Sequence, residues 1–577
     1  MNLERWRKRL HQGEFPYVYS REGGIKKVKQ ILNMIEFGAQ IGYMGDRSQS
    51  RSAHNLRSAT STPEIERMVS EIIAADVAAG KKAGPFDTPP FSPFSVSPIG
   101  AVPKGGSWDR IRVIHHLSFP KGGDSINANI MDEELKLDSF DQACEAIRSF
   151  GEKLCLLIKL DVEAAYKQIA VHPLDRPLLG FQWQGKYYYE LVLPFGLKSS
   201  GARWELIARA LKYFFRHHLG IQLVIVYVDD FLFVVPDEVT GNKQKLAARE
   251  LAEELGTPMA SEDGKDWGPT TCLIFLGIEL DTGTKQMRIP AAKLLLLQQL
   301  LFDWVQNRNY CTIHDLQSLI GKLYWAAQVI RQGRAFLRRL IDFTSQLRAL
   351  EEKEEAKAKE RGITQRYHHR HRSHRISESA RLDIRWWHRC LNEDFNNHSL
   401  MYDIEWTNNT DSTLLLFTDA CCDPNGNGGF GASYGNRWIQ GRWSPEQVEA
   451  ARRKGGRISI PQLELHALVL AICTWSHNGA WRGRRILIRC DAQTVCHGVE
   501  KLSCKHSMMQ GLIRHLTLTA AKGGFQLKLV HIKGEKNEVA DLLSRKFPIS
   551  LSVLRQVLPG AEEKMDSILP LPPLMDM

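Results

Sequence analysis

QLVIVYVDDFLFVV, residues 222–235, sets two adjacent aspartates between apolar runs rich in β-branched and aromatic residues. Runs of that composition and length favour buried strands. Asp229-Asp230 then marks a tight turn, and the expected structure is a β-hairpin carrying both carboxylates at its tip. Two ionised carboxylates beside buried strands are costly unless a cation offsets them. An ordinary surface turn is the competing reading of these residues taken alone, because Asp is common in turns. A third carboxylate narrows the choice. Asp161 ends the apolar run LCLLIKLD (154–161), 68 residues before Asp229. Three carboxylates converging from two strands offer the hard oxygen ligands that two Mg²⁺ ions about 3.5–4 Å apart require. Such a pair activates an attacking hydroxyl and neutralises a leaving pyrophosphate, so the implied chemistry is nucleotidyl transfer.

Around this hairpin lies a chain of 577 residues with 76 Lys+Arg, 65 Asp+Glu and a net charge of +11. That length predicts several domains. The 43% hydrophobic content excludes wholesale disorder. No apolar run reaches the roughly 18 residues of a membrane span, and MNLERWRKRLHQ has no apolar core of a secretory signal. Eleven scattered cysteines without a CxxC pair suggest reduced thiols. An intracellular protein, cytoplasmic or nuclear, is therefore expected. Residues 1–60 hold 11 Lys+Arg against 5 Asp+Glu, an excess that suits a polyanion partner.

The pattern of elements predicts a multidomain α/β and α+β protein. A basic N-terminal arm (1–83) contains an exposed connector and a helix over 63–83, and the Pro/Ser-rich 84–100 reads as an extended boundary. Strand-like runs alternate with helices to about residue 285, and 286–345 turns helical, with Thr312 and Asp315 as a capping pair. A charged helix (349–362) and the His/Arg run RYHHRHRSHR (366–375) fall within a connecting region, 346–410. A second α/β unit occupies 411–548, and 549–577 reads as a tail.

That second unit carries its own carboxylates. Asp419 lies in the strand TLLLFTDA, Glu464 on the helix PQLELHALVLA, Asp491 ends the strand RILIRCD, and Asp541 starts the helix ADLLSR. Each has a plain alternative as a cap, a strand end or an exposed helix residue.

KLDVEAAYKQI (159–169), LPFGLKSSG (193–201) and YVDDFLF (227–233), in that order, resemble palm motifs A, B and C of reverse transcriptases, and FLGIEL (275–280) resembles the motif that grips the primer end. The resemblance implies a right-hand polymerase of fingers and palm (84–285) and thumb (286–345), with a connection (346–410) and a C-terminal ribonuclease H-like domain (411–548). It implies that Asp161, Asp229 and Asp230 hold the metals and that Tyr166 lies beneath the incoming sugar and excludes a 2′-hydroxyl. Phe195, Gly196 and Tyr227 fall in the motifs that contact nucleotide, template or primer. SPIGAVPKGGSWDRIRVIHHLS (97–118) resembles the fingers, where Lys104 and Arg112 match the positions that hold the triphosphate. The second set resembles the ribonuclease H site, with Asp419, Glu464, Asp491 and Asp541 around two metals and His531 assisting product departure. RVIHHLSFPKGGDSIN, IGYMGDRSQSRSAHNLRSA, LQSLIGKLYWAAQVI, GRAFLRRLID and RLDIRWWHRCL look like tyrosine-recombinase-type (DIRS-like) retrotransposons.

The expected function is RNA- and DNA-templated DNA synthesis coupled to cleavage of RNA in RNA–DNA hybrids. Its cofactor is Mg²⁺, two ions per site, with Mn²⁺ as a substitute. The partners are an RNA template, a DNA primer, the hybrid and dNTPs, with no membrane. The rival is a co-opted, catalytically silent nucleic-acid-binding protein that keeps the fold; an RNA-making palm polymerase is disfavoured by Tyr166. Asp281-Thr282-Gly283 spells an aspartic-protease motif but follows FLGIEL, so a turn is expected there. Trp386-Trp387 could stack on bases, though packing is the expectation. Lys322, Arg331, Arg334, Arg338 and Arg339 could track a phosphate backbone.

Overall fold

The computed structural model describes residues 1–11, 21–261, 266–360, 372–392, 398–400, 413–422, 428–453, 458–479, 481–482, 484–563 and 565–568. The chain divides into two compact units, one formed by Met1–Gln286 and the other by Met287–Leu400 with Ile404–Met577.

The first unit is organised by the hairpin. Val224–Tyr227 and Asp230–Val235 pair antiparallel, and the sheet continues through Leu156–Asp161 to Asp266–Thr270. Its central strands are buried on both faces, which explains their near-continuous apolar sequence. Phe231, Phe233, Val235, Ile158 and Leu160 share a core with Trp204, Leu211, Phe214 and Phe215 of the helix Ser200–His217. Leu251 and Leu255 of the helix Glu238–Leu255 close the same core. A smaller layer, Lys82–Phe86 with Lys186–Glu190 and Gly180–Trp183, lies near a long hairpin, Ile99–Lys104 with Ser107–His115. The helix Pro63–Ala78 packs there, started by Thr62, whose side chain accepts from the Ile65 N–H.

Two expectations for the N-terminal region are corrected. The helix ends at Ala78 rather than Ala83, and Lys82–Phe86 is a strand. The basic arm is also no free extension. Trp6, Leu10, Ile31, Met34 and Ile41 belong to the large core, and Trp6 Nε1 donates to the Leu255 carbonyl at 2.9 Å. Apolar residues at helical spacing inside a charged stretch bury one face and leave the charges outside. The expected connector is tied down too: Asn55 accepts from the Ile99 N–H, and Ser58 from that of Ala101.

The second unit begins with helices Ala291–Gln306, Ile313–Ala326, Arg338–Glu360 and Glu378–Asn392. Thr312 and Asp315 form a reciprocal capping box on the second of these. Next comes a five-stranded sheet in the order Arg437–Arg442, Gly428–Tyr434, Thr413–Cys422, Arg485–Cys490, Gln526–His531; the first three are antiparallel and the last two join in parallel. The helix Ile460–Trp475, almost wholly buried, packs against this sheet and against the helix Ser507–Gly523. The expected tail is corrected as well. Leu554 is buried on a short helix, Leu551–Val557, and Asp566 accepts from Trp475 Nε1 at 2.6 Å and pairs with Arg437 at 2.9 Å.

Several basic and aromatic candidates are structural. Trp386 stacks on Phe336 with centroids 3.9 Å apart, and Trp387 is fully buried, so both pack rather than face a base. Arg338 pairs with Asp342, and Arg339 pairs with Asp383 at 3.2 Å, which removes two candidates from a phosphate track. Arg366 to His371 of the His/Arg run lie outside the described residues, whereas His374 pairs with Glu351 at 2.8 Å. Asp281-Thr282-Gly283 forms the expected turn: the Asp281 carboxylate accepts from the Gly283 and Thr284 N–H groups at 2.9 and 3.1 Å. No described helix is long and apolar enough to cross a membrane.

A buried ionic knot ties the early helices of this unit to its sheet domain. Asp383 is fully buried between Arg339 and Arg514, and Arg514 and Gln510 both donate to the Ala335 carbonyl. Burial pushes the Asp383 carboxyl up to about 6, against the pull of both guanidiniums. Asp383→Ala leaves two cations without their carboxylate, one of them buried, at a cost of about 3–5 kcal/mol. In a urea titration of the full chain, hydrogen exchange in the helix Ser507–Gly523 should therefore accelerate at markedly lower urea than in the parent. An unshifted midpoint would remove this knot as a structural element.

Candidate active sites

In the first site, strand register does the positioning. Asp161 closes its strand directly opposite Asp230, and Tyr227 faces Asp230 across the hairpin. The turn between them is Val228-Asp229, with Val228 at φ +57°. A β-branched residue in the left-handed region is strained, and this first central position of a two-residue hairpin ordinarily favours glycine. Two contacts hold the turn: Trp204 Nε1 donates to the Val228 carbonyl at 2.7 Å, and the Val162 N–H donates to the Asp229 carbonyl at 3.0 Å. Lys159 pairs with Asp230 at 2.9 Å.

Tyr166 follows on a short 3₁₀ turn, half-buried. Burial raises its phenol pKa, and the Asp229 charge raises it further, so the ring lies within electrostatic reach of the carboxylates and keeps its proton. Phe195 meets Tyr166 edge-on with centroids 5.5 Å apart, and the Arg112 guanidinium lies 5.8 Å from the Phe195 ring centre. Arg112, Phe195 and Tyr166 thus form one continuous row ending beside the carboxylates. Gly196 sits at φ +104°, and a β-carbon there would come within 2.0 Å of the His115 carbonyl. The motif B loop therefore presses backbone to backbone against the long hairpin, an approach only glycine permits. Gly196→Ala should cut primer extension about a hundred-fold by displacing this row roughly an ångström, while the thermal midpoint of the second unit stays put. Extension kinetics at saturating nucleotide check this. Lys104 lies at the far, turn end of the long hairpin, opposite Ser107, and no contact joins it to the row among the described residues.

The second site is more buried. Asp419 is on the central strand opposite Gly431, Glu464 on the buried helix, Asp491 directly after Cys490, and Asp541 on the helix Glu538–Arg545. That last helix lies close on the sheet because Gly431 has no side chain: a β-carbon there would fall 2.4 Å from Leu543 Cβ and 2.7 Å from the Ala540 carbonyl. Ser544 Oγ donates to Asp419, and Arg545 Nε donates to Asp541 at 2.6 Å. His531, exposed at the strand end, makes a 3.0 Å hydrogen bond with the Asp491 carbonyl.

Crowding of like charges dominates the electrostatics. Burial, then the Asp491 and Asp541 charges, push the Asp419 carboxyl up to about 6 despite the Ser544 hydrogen bond. Burial together with Asp419 and Asp491 pushes Glu464 up to about 9, and its Oε2 is buried without a hydrogen-bond partner among the described residues. Hard oxygen donors held together against their own repulsion are what a divalent cation fits. The linkage has a definite sign. Both groups titrate higher in the folded chain than in the unfolded one, so the metal-free fold takes up protons that the unfolded chain lacks. Its stability therefore falls as pH rises through the window from about 3.8 to about 9. Thermal melts of the metal-free chain should show this fall, Mg²⁺ should raise the midpoint more at the alkaline end, and Glu464→Gln should flatten the profile.

Several participants escaped the sequence reading. Lys159 lies two residues before Asp161 on the same strand, on the same face by the period of two. Ser544 and Arg545 lie one helical turn after Asp541. Cys490 joins Glu464 and Asp491 in a group whose ligand atoms lie within 4.8 Å of one another. All three signals were local spacings beside a recognised carboxylate.

Residues 126–262 match the family model for reverse transcriptase (RNA-dependent DNA polymerase). That span contains Asp161, Tyr166, Phe195, Gly196, Tyr227, Asp229 and Asp230. Two solved structures are similar over most of the chain. One is a foamy viral protease-reverse transcriptase, dRH, in complex with double-stranded DNA, at 11% identity and TM-score 0.44, covering 92% of this chain and 81% of that one. The other is the foamy viral protease-reverse transcriptase in complex with an RNA/DNA hybrid, at 12% identity and TM-score 0.40, covering 94% and 85%. The mixed α/β, multidomain fold class is the one expected.

Proposed function

We propose that the chain is a reverse transcriptase that extends a primer with dNTPs on RNA or DNA, and that its second site cleaves the RNA of RNA–DNA hybrids. The observation that carries this reading is the register setting Asp161 opposite Asp230, beside Asp229, within the segment that matches the reverse transcriptase model. Asp161, Asp229 and Asp230 would hold divalent cations, Mg²⁺ by the chemistry of an all-oxygen donor set. When bound, such ions lower the pKa of an attacking hydroxyl and neutralise charge on phosphate oxygens. The remaining work falls to the chain itself. Tyr166 closes the floor beneath the sugar, so a deoxyribose fits where a 2′-hydroxyl would meet the ring. Phe195 braces Tyr166 from one side and Arg112 from the other, which fixes a guanidinium for triphosphate oxygens. In the second site, Asp419, Glu464, Asp491 and Asp541 would hold the cations, with His531 at the exposed rim.

The role we infer is replication of a retroelement of the tyrosine-recombinase type, within the cell; the motifs quoted from 41–59, 112–127, 316–342 and 381–391 support that subtype. A basic chain binding the phosphate backbone should lose affinity steeply with salt. The test is extension of a DNA primer on an RNA template with dNTPs and, separately, with ribonucleotides. Extension only with dNTPs supports the reading. Extension with ribonucleotides at an equal rate would make the chain an RNA-making polymerase, and extension with neither would leave a silent binding protein.

A further inference from the structure

The strand Arg485–Cys490 and the residue after it deliver two donors of different chemistry to the second site, a carboxylate and a thiol. The Cys490 Sγ, a Glu464 carboxylate oxygen and an Asp491 carboxylate oxygen all lie within 4.8 Å of one another. Cys490 is fully buried and Glu464 is 5% exposed. Glu464 Oε2 has no hydrogen-bond partner among the described residues, so a buried oxygen stands ready for a ligand. The Cys490 sulfur accepts from the Ala492 N–H at 3.4 Å and shares a hydrogen bond with the Cys496 thiol, which a bound cation would displace.

Oxygen-only ions gain nothing from a sulfur ligand. Mg²⁺ prefers carboxylates and water, whereas a thiolate selects softer, thiophilic cations. Zn²⁺ binds sulfur at about 2.3 Å and carboxylate oxygen at about 2.0–2.2 Å, in a tetrahedron whose corners are roughly 3.5 Å apart. A small inward closing of three side chains already this near reaches that geometry, and a fourth position remains for water.

We propose that Glu464, Cys490 and Asp491 form a binding site for a thiophilic divalent cation of the Zn²⁺ or Cd²⁺ kind, which competes with Mg²⁺ for the two carboxylates and stops cleavage at the second site. The inhibitory consequence rests on the ribonuclease reading; the binding itself does not. Cys490 is then a selectivity element: it decides which metals the site admits, without taking part in hydrolysis.

The test is a Cd²⁺ titration of the full chain in excess Mg²⁺, followed by sulfur-to-cadmium charge-transfer absorption in the ultraviolet and, in parallel, by hybrid cleavage. Against the background of the other cysteines, the parent should show one additional tight equivalent that Cys490→Ser lacks and Cys496→Ser retains. Zn²⁺ should inhibit cleavage by the parent at concentrations at least about tenfold lower than it does Cys490→Ser, each normalised to its own rate in Mg²⁺. Equal absorption and equal inhibition in parent and Cys490→Ser would overturn the proposal. Asp491→Asn guards against a misfolded cysteine variant: it keeps the thiol but should weaken Cd²⁺ binding, and unchanged binding there would also overturn it. If the parent cleaves no hybrid at all, the ribonuclease reading fails, and the absorption difference still decides whether the site binds Cd²⁺.

Discussion

Replacing Asp229 with Asn should lower RNA-templated primer extension about a thousand-fold or more, because it removes several kcal/mol of stabilisation of charge developing on the phosphate. The exchange conserves volume, and Asn is as compatible with a tight turn as Asp. The turn itself is held by groups the substitution leaves alone: Trp204 grips the Val228 carbonyl, and the Val162 N–H grips the Asp229 carbonyl. Folding is therefore preserved while a charge is lost. Asp230→Asn is a less clean experiment, because it also releases Lys159 from its 2.9 Å pair. Hybrid cleavage by Asp229→Asn should equal that of the parent, since every carboxylate of the second site is intact. Single-nucleotide extension, read against a melt of the same sample, checks both halves of the expectation.

Asp491→Asn, and independently Glu464→Gln, should abolish hybrid-RNA cleavage to a similar degree and leave primer extension unchanged. The two variants differ in an informative way. Glu464 is the carboxylate held furthest from its ordinary range, at about 9, by burial and by Asp419 and Asp491. Making it a neutral amide removes that repulsion, so Glu464→Gln should be inactive in cleavage yet more heat-stable than the metal-free parent at alkaline pH. Asp491 is partly exposed and supplies only part of the repulsion on Glu464, while the desolvation of Glu464 remains, so Asp491→Asn should gain less. Loss of cleavage in both, with the larger stability gain in Glu464→Gln, would be hard to explain by general damage to the fold.

The parts of this architecture that were legible in the sequence are those written locally. The run 222–235 announces a buried hairpin because its residues are β-branched or aromatic on both sides of two aspartates, and the structure turns at Val228-Asp229. Thr312 and Asp315 stand three residues apart before an apolar stripe and form a capping box. The alignment of Asp161 with Asp230 was legible only as an expectation of convergence, since the register joins residues 69 positions apart.

What stayed hidden depends on partners distant in the chain. Trp6 and Leu10 look like stray apolar residues in a basic arm until Leu255 and Phe214 supply the surface they cover. Asp566 looks like part of a tail until Trp475 and Arg437 meet it. Arg338 and Arg339 read as free cations in a helix, whereas Asp342 and Asp383 take them up. Net charge was a poor guide to which cations remain available to a partner.

The most direct test places both activities on one substrate, an RNA–DNA hybrid with an extendable DNA primer, each strand carrying a distinct 5′ label, incubated with dNTPs and Mg²⁺. The expected result is a lengthened primer and shortened RNA from the parent, loss of the first signal alone in Asp229→Asn, and loss of the second alone in Asp491→Asn. A parent that changes neither strand, or variants that retain both signals, would contradict the assignment of these two carboxylate clusters as the polymerase and ribonuclease centres.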